Sequence, residues 1–327
     1  MTDLNHYLHE LAVQATREFN LPDALEVKLI NLSENATYKV EAPAGQRWAL
    51  RIHREGYHSR AAIASELAWL MDLRERGVVV TPKPVSGLNG EIIQDVSHLH
   101  LGTRHVVLSE WEQGSEPGIG EDLTKSFEIL GEVTASMHAH AKAWQRPSFF
   151  TRFTWDFETS LGEQKPHWGN WRAGLGVDAT KANLFARTAA AIGKRLEVYG
   201  KSNTRFGLIH CDLRLANLLI DGPLVKVIDF DDCGFGWYMY DAATPVSFYE
   251  HEPQVPTLLE AWKTGYRKVG ILNREDEMEI PTFIMLRRLL LVAWIGSHAE
   301  TDLAKSMGLP YTEGTMSLCE AYLSSIA

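Results

Sequence analysis

The chain has 327 residues, with 32 Lys plus Arg against 42 Asp plus Glu and a formal net charge of −10, a balance that argues against nucleic-acid binding by phosphate neutralisation. Its 45% hydrophobic and 23% charged content sits near the globular average and excludes disordered, collagen-like and low-complexity architectures. The length exceeds the roughly 250–300 residues at which one core stops growing, so two lobes are expected, with a cleft as the natural place for a ligand.

The first segment, Met1 to Phe19, carries His6, His9, Glu10, Arg17 and Glu18 among its apolar residues and so lacks the uninterrupted apolar core of a signal peptide. Up to about residue 109 short strand-like runs follow, with one helix predicted from Ser59 to Arg76 that stops at Gly77. Beyond Glu110 helical spacing dominates, over Asp122 to Ala143, Lys181 to Tyr199, Val255 to Val269 and Pro281 to His298. The pattern predicts an α+β protein: a small antiparallel-sheet lobe over residues 1–109 and a larger, mainly helical lobe over 110–327, meeting at a hinge near Val106 to Trp111. The longest apolar run, Leu289 to Gly296, falls far short of the roughly 20 residues that span a bilayer, so no membrane contact is expected. Cys211, Cys233 and Cys319 cannot all pair within one chain and form no Cys-x-x-Cys, which fits a reducing compartment and a cytoplasmic location.

Polar residues concentrate in apolar surroundings between Leu208 and Asp232: His210, Asp212, Arg214, Asn217, Asp229, Asp231 and Asp232. Leu218 to Ile220 and Leu224 to Ile228 read as strands around the turn Asp221-Gly222-Pro223, so the segment should fold back as a hairpin. Asn217 enters one strand and Asp229 leaves the other, which puts an amide oxygen and a carboxylate at the same open end. Such oxygens suit Mg²⁺, which completes its octahedron with waters and phosphates. Asp212, five residues before Asn217, feeds the same end and is placed to accept a proton from a hydroxyl attacking a phosphate. The bland alternative is a set of solvated loop residues with Asn217 as a turn or cap residue.

His210, Asp212 and Asn217 in the pattern His-x-Asp-x-x-x-x-Asn, followed by Asp229-x-Asp231, resemble the motifs of the aminoglycoside phosphotransferase and choline kinase-like superfamily, which shares the two-lobed protein-kinase-like fold. The resemblance implies Asp212 as catalytic base, Asn217 and Asp229 as magnesium ligands with Asp231 assisting, ATP between the lobes, and His210 as a loop-orienting residue. In the small lobe, Leu32 to Val40 looks like the family's strand-turn-strand over the nucleotide phosphates. It has no glycine, so Ser33, Asn35 and Thr37 would supplement backbone N–H groups there. Arg51 falls where kinases usually carry a phosphate-binding Lys, and would offer a planar fork instead of a point charge. Ser109, Glu110 and Trp111 resemble the hinge on which the adenine rests.

Glu66 checks that alignment independently. At 100° per residue from Ile63, Glu66 falls at roughly 300° and Leu70 at roughly 340°, inside the apolar arc. A carboxylate there needs a partner, and Arg51 is the candidate.

Between Trp144 and Trp171 stand eight Phe and Trp residues, which either pack helices or line an acceptor pocket. Trp237, Tyr238 and Tyr240 could form another wall, with Tyr240 and Asp241 equally readable as structural. Between Trp144 and Arg172, Asp156, Glu158 and Glu163 face Arg146, Arg152, Lys165 and Arg172, which is no acidic surplus for an aminoglycoside. His138, His140 and the helix bearing Arg287 and Arg288 look closer to the homoserine kinase-like and stress response kinase-like branch, with the two arginines expected on the surface. Asp241 follows Asp229 by only 12 positions, too few for an extended activation segment. The reading is therefore an ATP- and Mg²⁺-dependent phosphotransferase acting on a small hydroxylated acceptor. The alternatives are a protein Ser/Thr kinase of the stress response type and a non-catalytic nucleotide-binding pseudokinase.

Overall fold

A computed structural model describes residues 2–33, 35–118, 120 and 122–326; Glu34, inside the predicted strand-turn-strand, lies outside them. The chain divides into two compact units, Met1–Gly114 with Arg146–Arg152, and Ser115–Gln145 with Phe153–Ala327.

The first unit is built on a five-stranded antiparallel sheet from β1 (Glu26–Leu32), β2 (Ala36–Glu41), β3 (Arg47–Ile52), β4 (Ile93–His98) and β5 (Gly102–Glu110), in the order β1-β2-β3-β5-β4. Alternation along β3 buries Leu50 and Ile52, and their partners Leu108 and Val106 on β5 extend the same face. Sequence patterning foresees one helix in this unit, and the structure has two. Helix α1 (Thr2–Ala15) lays Leu8, Leu11, Ala12 and Ala15 onto the core of Tyr38, Val40, Leu50 and Ile52. Helix α2 (Arg60–Glu75) starts where predicted, its first turn capped by Ser59 Oγ, which accepts the N–H of Ala62 at 3.2 Å. Just past its end Gly77 adopts φ of +65°, the left-handed conformation that stops a helix cheaply. The short Arg146–Arg152 segment joins this unit because Thr151 N–H donates to Ser65 Oγ (2.9 Å) and Arg152 Nη1 donates to the carbonyl of Ala62 (3.0 Å).

The second unit contains α3 (Thr124–Ala143), α4 (Phe157–Leu161), α5 (Ala179–Tyr199), α6 (Tyr240–Ala243), α7 (Val255–Arg267), α8 (Arg274–Ser297) and α9 (Asp302–Ser325). Its strands are β6 (Thr154–Trp155), β7 (Phe206–Ile209), β8 (Leu218–Asp221), β9 (Leu224–Val227) and β10 (Gly234–Trp237), forming the sheet β6-β10-β7 and the hairpin β8-β9. Helices α3 and α7 touch backbone to backbone: a Cβ on Gly131 would collide with the carbonyl of Trp262, and one on Gly265 with that of Glu128.

Two expectations are corrected here. Helix α8 begins at Arg274, not Pro281, because Asn273 caps it by accepting the N–H of Asp276 (3.1 Å), and Pro281 is carried inside it. Arg287 and Arg288 are not on the surface but 3% and 2% exposed, since α8 packs against α5, α6 and α9 at once and keeps little solvent face. This helix is long and apolar enough by composition to cross a membrane, yet most of its apolar stretch is buried within the protein, as in the core helix of a globular unit. Helix α9 is a further element that sequence patterning does not foresee; its kink at Gly308 interrupts the periodicity.

Candidate active site

The loop after β7 is held in an unusual shape by one buried carboxylate. Cys211 has φ of +71°, a conformation that costs a residue with a Cβ on the order of 1 kcal/mol or more. Asp241, fully buried on α6, accepts the N–H of His210 at Oδ2 (3.0 Å) and that of Cys211 at Oδ1 (2.8 Å). His138 on α3 adds a third contact to Asp241, at 3.0 Å from Nε2, while its Nδ1 faces the hydroxyl of Tyr266 at 3.1 Å. His210 Nδ1 accepts the N–H of Asp212 (3.2 Å), and its ring lies against Phe230 at 4.5 Å between centroids. These contacts tie the loop to α3, α6 and Phe230.

That frame delivers Asp212, 8% exposed, into a set of donors. Arg287 Nη2 donates to Oδ1 at 2.5 Å, while Arg214 Nε (3.0 Å) and Asn217 Nδ2 (2.7 Å) both donate to Oδ2. Burial acts to raise the carboxyl, but Arg214 and Arg287 outweigh it and hold it below the usual carboxylate range. Asp212 is therefore an ionised, oriented acceptor.

Hairpin β8-β9 pairs Leu218 with Val227, and the N–H of Ile228 reaches the carbonyl of Asn217 at 2.9 Å. The structure thus brings Asn217 and Asp229 to one open end. Because Asn217 turns its Nδ2 to both the carbonyl and the carboxylate of Asp212, its amide oxygen is the atom left for a cation. Asp229, half-buried with φ of +60°, and the buried Asp231 follow on the same loop. Among the described residues no group of three or more His, Cys, Asp or Glu is arranged to hold a metal. A donor set of one amide and one or two carboxylates fits Mg²⁺ that takes its remaining ligands from water and phosphate.

In the first unit, Arg51 Nη1 lies 2.9 Å from Oε1 of Glu66, which is 2% exposed. The carboxylate on the apolar arc of α2 has the partner its position demands. Thr37 stands opposite Arg51 in the β2-β3 register, so the two share a sheet face. Ser33 and Asn35 form the turn between β1 and β2, with Ser33 N–H donating to the carbonyl of Asn35 (3.0 Å). Asn35 is buried, and its side-chain oxygen accepts the N–H of Arg54 (3.1 Å); that oxygen braces the turn. At the predicted hinge, Glu110 N–H donates to the carbonyl of Lys83 (2.8 Å) and Trp111 N–H to that of Arg47 (3.2 Å), while Ser109 pairs with Ala49. A base contact through either of those two donors would have to break a hydrogen bond inside the unit.

Of the aromatic residues, Trp155, Trp168 and Trp171 are buried in the core of the second unit. Trp155 Nε1 donates to the carbonyl of Asp232 (2.8 Å), tying this cluster to the loop that carries Asp229 and Asp231, and Trp168 lies under the guanidinium of Arg287 at 5.2 Å. Trp237 is likewise core, and Tyr240 reaches Arg287 Nη1 at 3.2 Å. Sequence reasoning missed Arg214 and Arg287 as site residues. The signal for Arg287 was present: two arginines directly before an eight-residue apolar run need partners for the same reason as Glu66.

The model of the phosphotransferase enzyme family matches residues 26–276, well over half of the chain. A solved microcompartment-associated aminopropanol kinase is 43% identical, with a TM-score of 0.89 over 97% of this chain and 98% of its own. Amicoumacin kinase of Bacillus subtilis (strain 168) is 27% identical over 302 residues, 88% of this chain and 85% of that protein. An amicoumacin kinase solved with AMP-PNP, Ca²⁺ and Ami is 20% identical, at TM-score 0.78 over 97% of this chain and 96% of its own, a likeness of fold. The matched span takes in well over half of the chain, the β7 to β9 segment included, and the chain belongs to the phosphotransferase enzyme family.

Proposed function

We propose that the protein is an ATP-dependent kinase that uses Mg²⁺ to transfer the γ-phosphoryl group to the hydroxyl of a small amino alcohol. The observation that carries this reading is the Asp212 carboxylate, held ionised by Arg214 and Arg287 and joined through Asn217 to the open end of the hairpin. The amino alcohol class is suggested by the aminopropanol kinase at 43% identity, and nucleotide with a divalent cation by the complex of the amicoumacin kinase. In this reading Asn217 and Asp229, assisted by Asp231, would hold the metal, which neutralises phosphate charge when bound. Arg51, oriented by Glu66, is the phosphate-binding cation of the first unit. Thr37 and the Ser33 turn supply further phosphate contacts, and the Ser109 to Trp111 segment the adenine edge. Asp212 accepts the hydrogen bond of the attacking hydroxyl, fixes its direction and receives its proton as the new P–O bond forms and the bond from the γ-phosphorus to the β–γ bridging oxygen breaks, leaving ADP.

The test is ADP release with ATP and Mg²⁺ across a panel of amino alcohols headed by 1-amino-2-propanol, in wild type and Asp212→Asn. Turnover in wild type that falls about 1,000-fold in the variant supports the assignment. Equal turnover in both sinks it.

A further inference from the structure

Arg287 lies beyond residues 26–276, the span that matches the family model. Its guanidinium is 3% exposed and is spread over four partners: Asp212 Oδ1 (2.5 Å), the hydroxyl of Tyr240 (3.2 Å), the carbonyl of Cys211 (3.4 Å) and Ser247 Oγ (3.3 Å). Burying a guanidinium is costly unless each donor is met, so this socket is built, not incidental. It also has a direction. Oδ2 of Asp212 is taken by Arg214 and Asn217, both from the catalytic loop itself, whereas Oδ1 is held by Arg287, which comes from α8. With both oxygens anchored, the carboxylate cannot turn about its Cβ–Cγ bond without losing a charged hydrogen bond. The neighbouring Arg288 secures the socket from outside: it pairs with Glu250 (2.6 Å), donates to Thr315 Oγ1 (2.8 Å) and to the carbonyl of Tyr311 (2.8 Å). The loop carrying Ser247 and Glu250 is therefore strung between two consecutive arginines of one helix.

We infer that Arg287 is a positioning residue for phosphoryl transfer: from α8 it locks the Asp212 carboxylate in the rotation at which Oδ1 meets the acceptor hydroxyl. The inference rests on the phosphotransferase reading of Asp212. In-line attack tolerates little misplacement, and about 1 Å of error can cost on the order of 100-fold in rate. Removing Arg287 should lower kcat and leave nucleotide binding alone, because no phosphate contact is lost.

The test compares wild type, Arg287→Met, Arg287→Lys, Tyr240→Phe and Asp212→Asn with ATP, Mg²⁺ and 1-amino-2-propanol. Arg287→Met should lose about 100-fold in kcat with KM for ATP within about threefold of wild type. Arg287→Lys should recover about tenfold of that loss. Tyr240→Phe, which removes one support without touching a charge, should lower kcat about threefold and serves if Arg287→Met does not fold. Wild-type kcat in Arg287→Met, or a loss confined to the KM of the acceptor, overturns the inference. If Asp212→Asn turns over normally, the phosphotransferase reading itself has failed; if Asp212→Asn is inactive while Arg287→Met is normal, only the role of Arg287 has.

Discussion

Asp241 Oδ1 accepts the backbone N–H of Cys211 at 2.8 Å while Cys211 sits at φ of +71°. The buried carboxylate thus offsets the strain of the residue directly before Asp212. Asp241→Ala, which releases two N–H groups and His138 together, should destabilise the protein by about 3 kcal/mol and abolish turnover. Cys211→Gly removes the Cβ penalty at the expense of a small buried side chain and should stay within about 1 kcal/mol of wild type. Cys211→Val, β-branched at a positive φ, should lose about 2 kcal/mol. Urea midpoints for the three variants check the ordering.

Arg51 and Glu66 form the corresponding device in the first unit. Glu66→Gln keeps the shape and a hydrogen bond, so stability should fall by about 1 kcal/mol while KM for ATP rises several-fold as Arg51 loses its orientation. Arg51→Met takes this cation from a carboxylate that is 2% exposed and should cost about 3 kcal/mol. Steady-state kinetics with thermal melts separates the two effects.

Metal dependence is a third expectation. At ATP·Mg²⁺ concentrations about 100 times Kd, the ligand should stabilise wild type by about 2.7 kcal/mol. Asp229→Ala should lose most of that shift, and chelation by EDTA should have the same effect on wild type. A shift with ATP that is indifferent to EDTA and to Asp229→Ala would overturn the assignment of Asn217 and Asp229.

The His138 contacts imply a pH dependence. Asp241 accepts from two N–H groups and from His138 Nε2, so the proton of the ring sits on Nε2, and Nδ1 is left to accept from Tyr266. Burial, only partly opposed by Asp241, pushes His138 below the ordinary histidine value of 6.5, and burial pushes His210 the same way. The unfolded chain takes up protons near pH 6.5 that the folded protein refuses. Stability is therefore complete above about pH 7 and declines as pH falls from about 6.5 towards the lowered folded values. Unfolding free energies between pH 8 and 5.5 should show this slope, and His138→Gln should flatten it by up to about 1.4 kcal/mol per pH unit.

The contact of α3 with α7 makes a sharper stability prediction. Gly131→Ala or Gly265→Ala would push a methyl into a backbone carbonyl with no side chain able to give way, so each should cost about 3 kcal/mol or more. A circular dichroism melt suffices as the test.

Local patterning already contained the sheet-rich and helical halves, α2 from Ser59 to its Gly77 stop, the β8-β9 hairpin, and the convergence of Asn217 and Asp229. These follow from side-chain periodicity and turn chemistry, which act over a few residues. The Arg51 and Glu66 pair was legible for a different reason: a charge on an apolar arc cannot remain unpaired. Long-range assembly was not legible. Helix α1 was hidden by the polar residues of its outer face, and α9 by the kink at Gly308. The burial of Arg287 follows from α5, α6 and α9 enclosing α8, a fact of packing between segments far apart in the chain. Sequence spacing brings Asp212, Asn217 and Asp229 to one place; only the packed core supplies the guanidinium from α8 and the carboxylate from α6 that hold Asp212 and its loop in position, because contacts across some 30 to 75 residues leave no local periodicity to read.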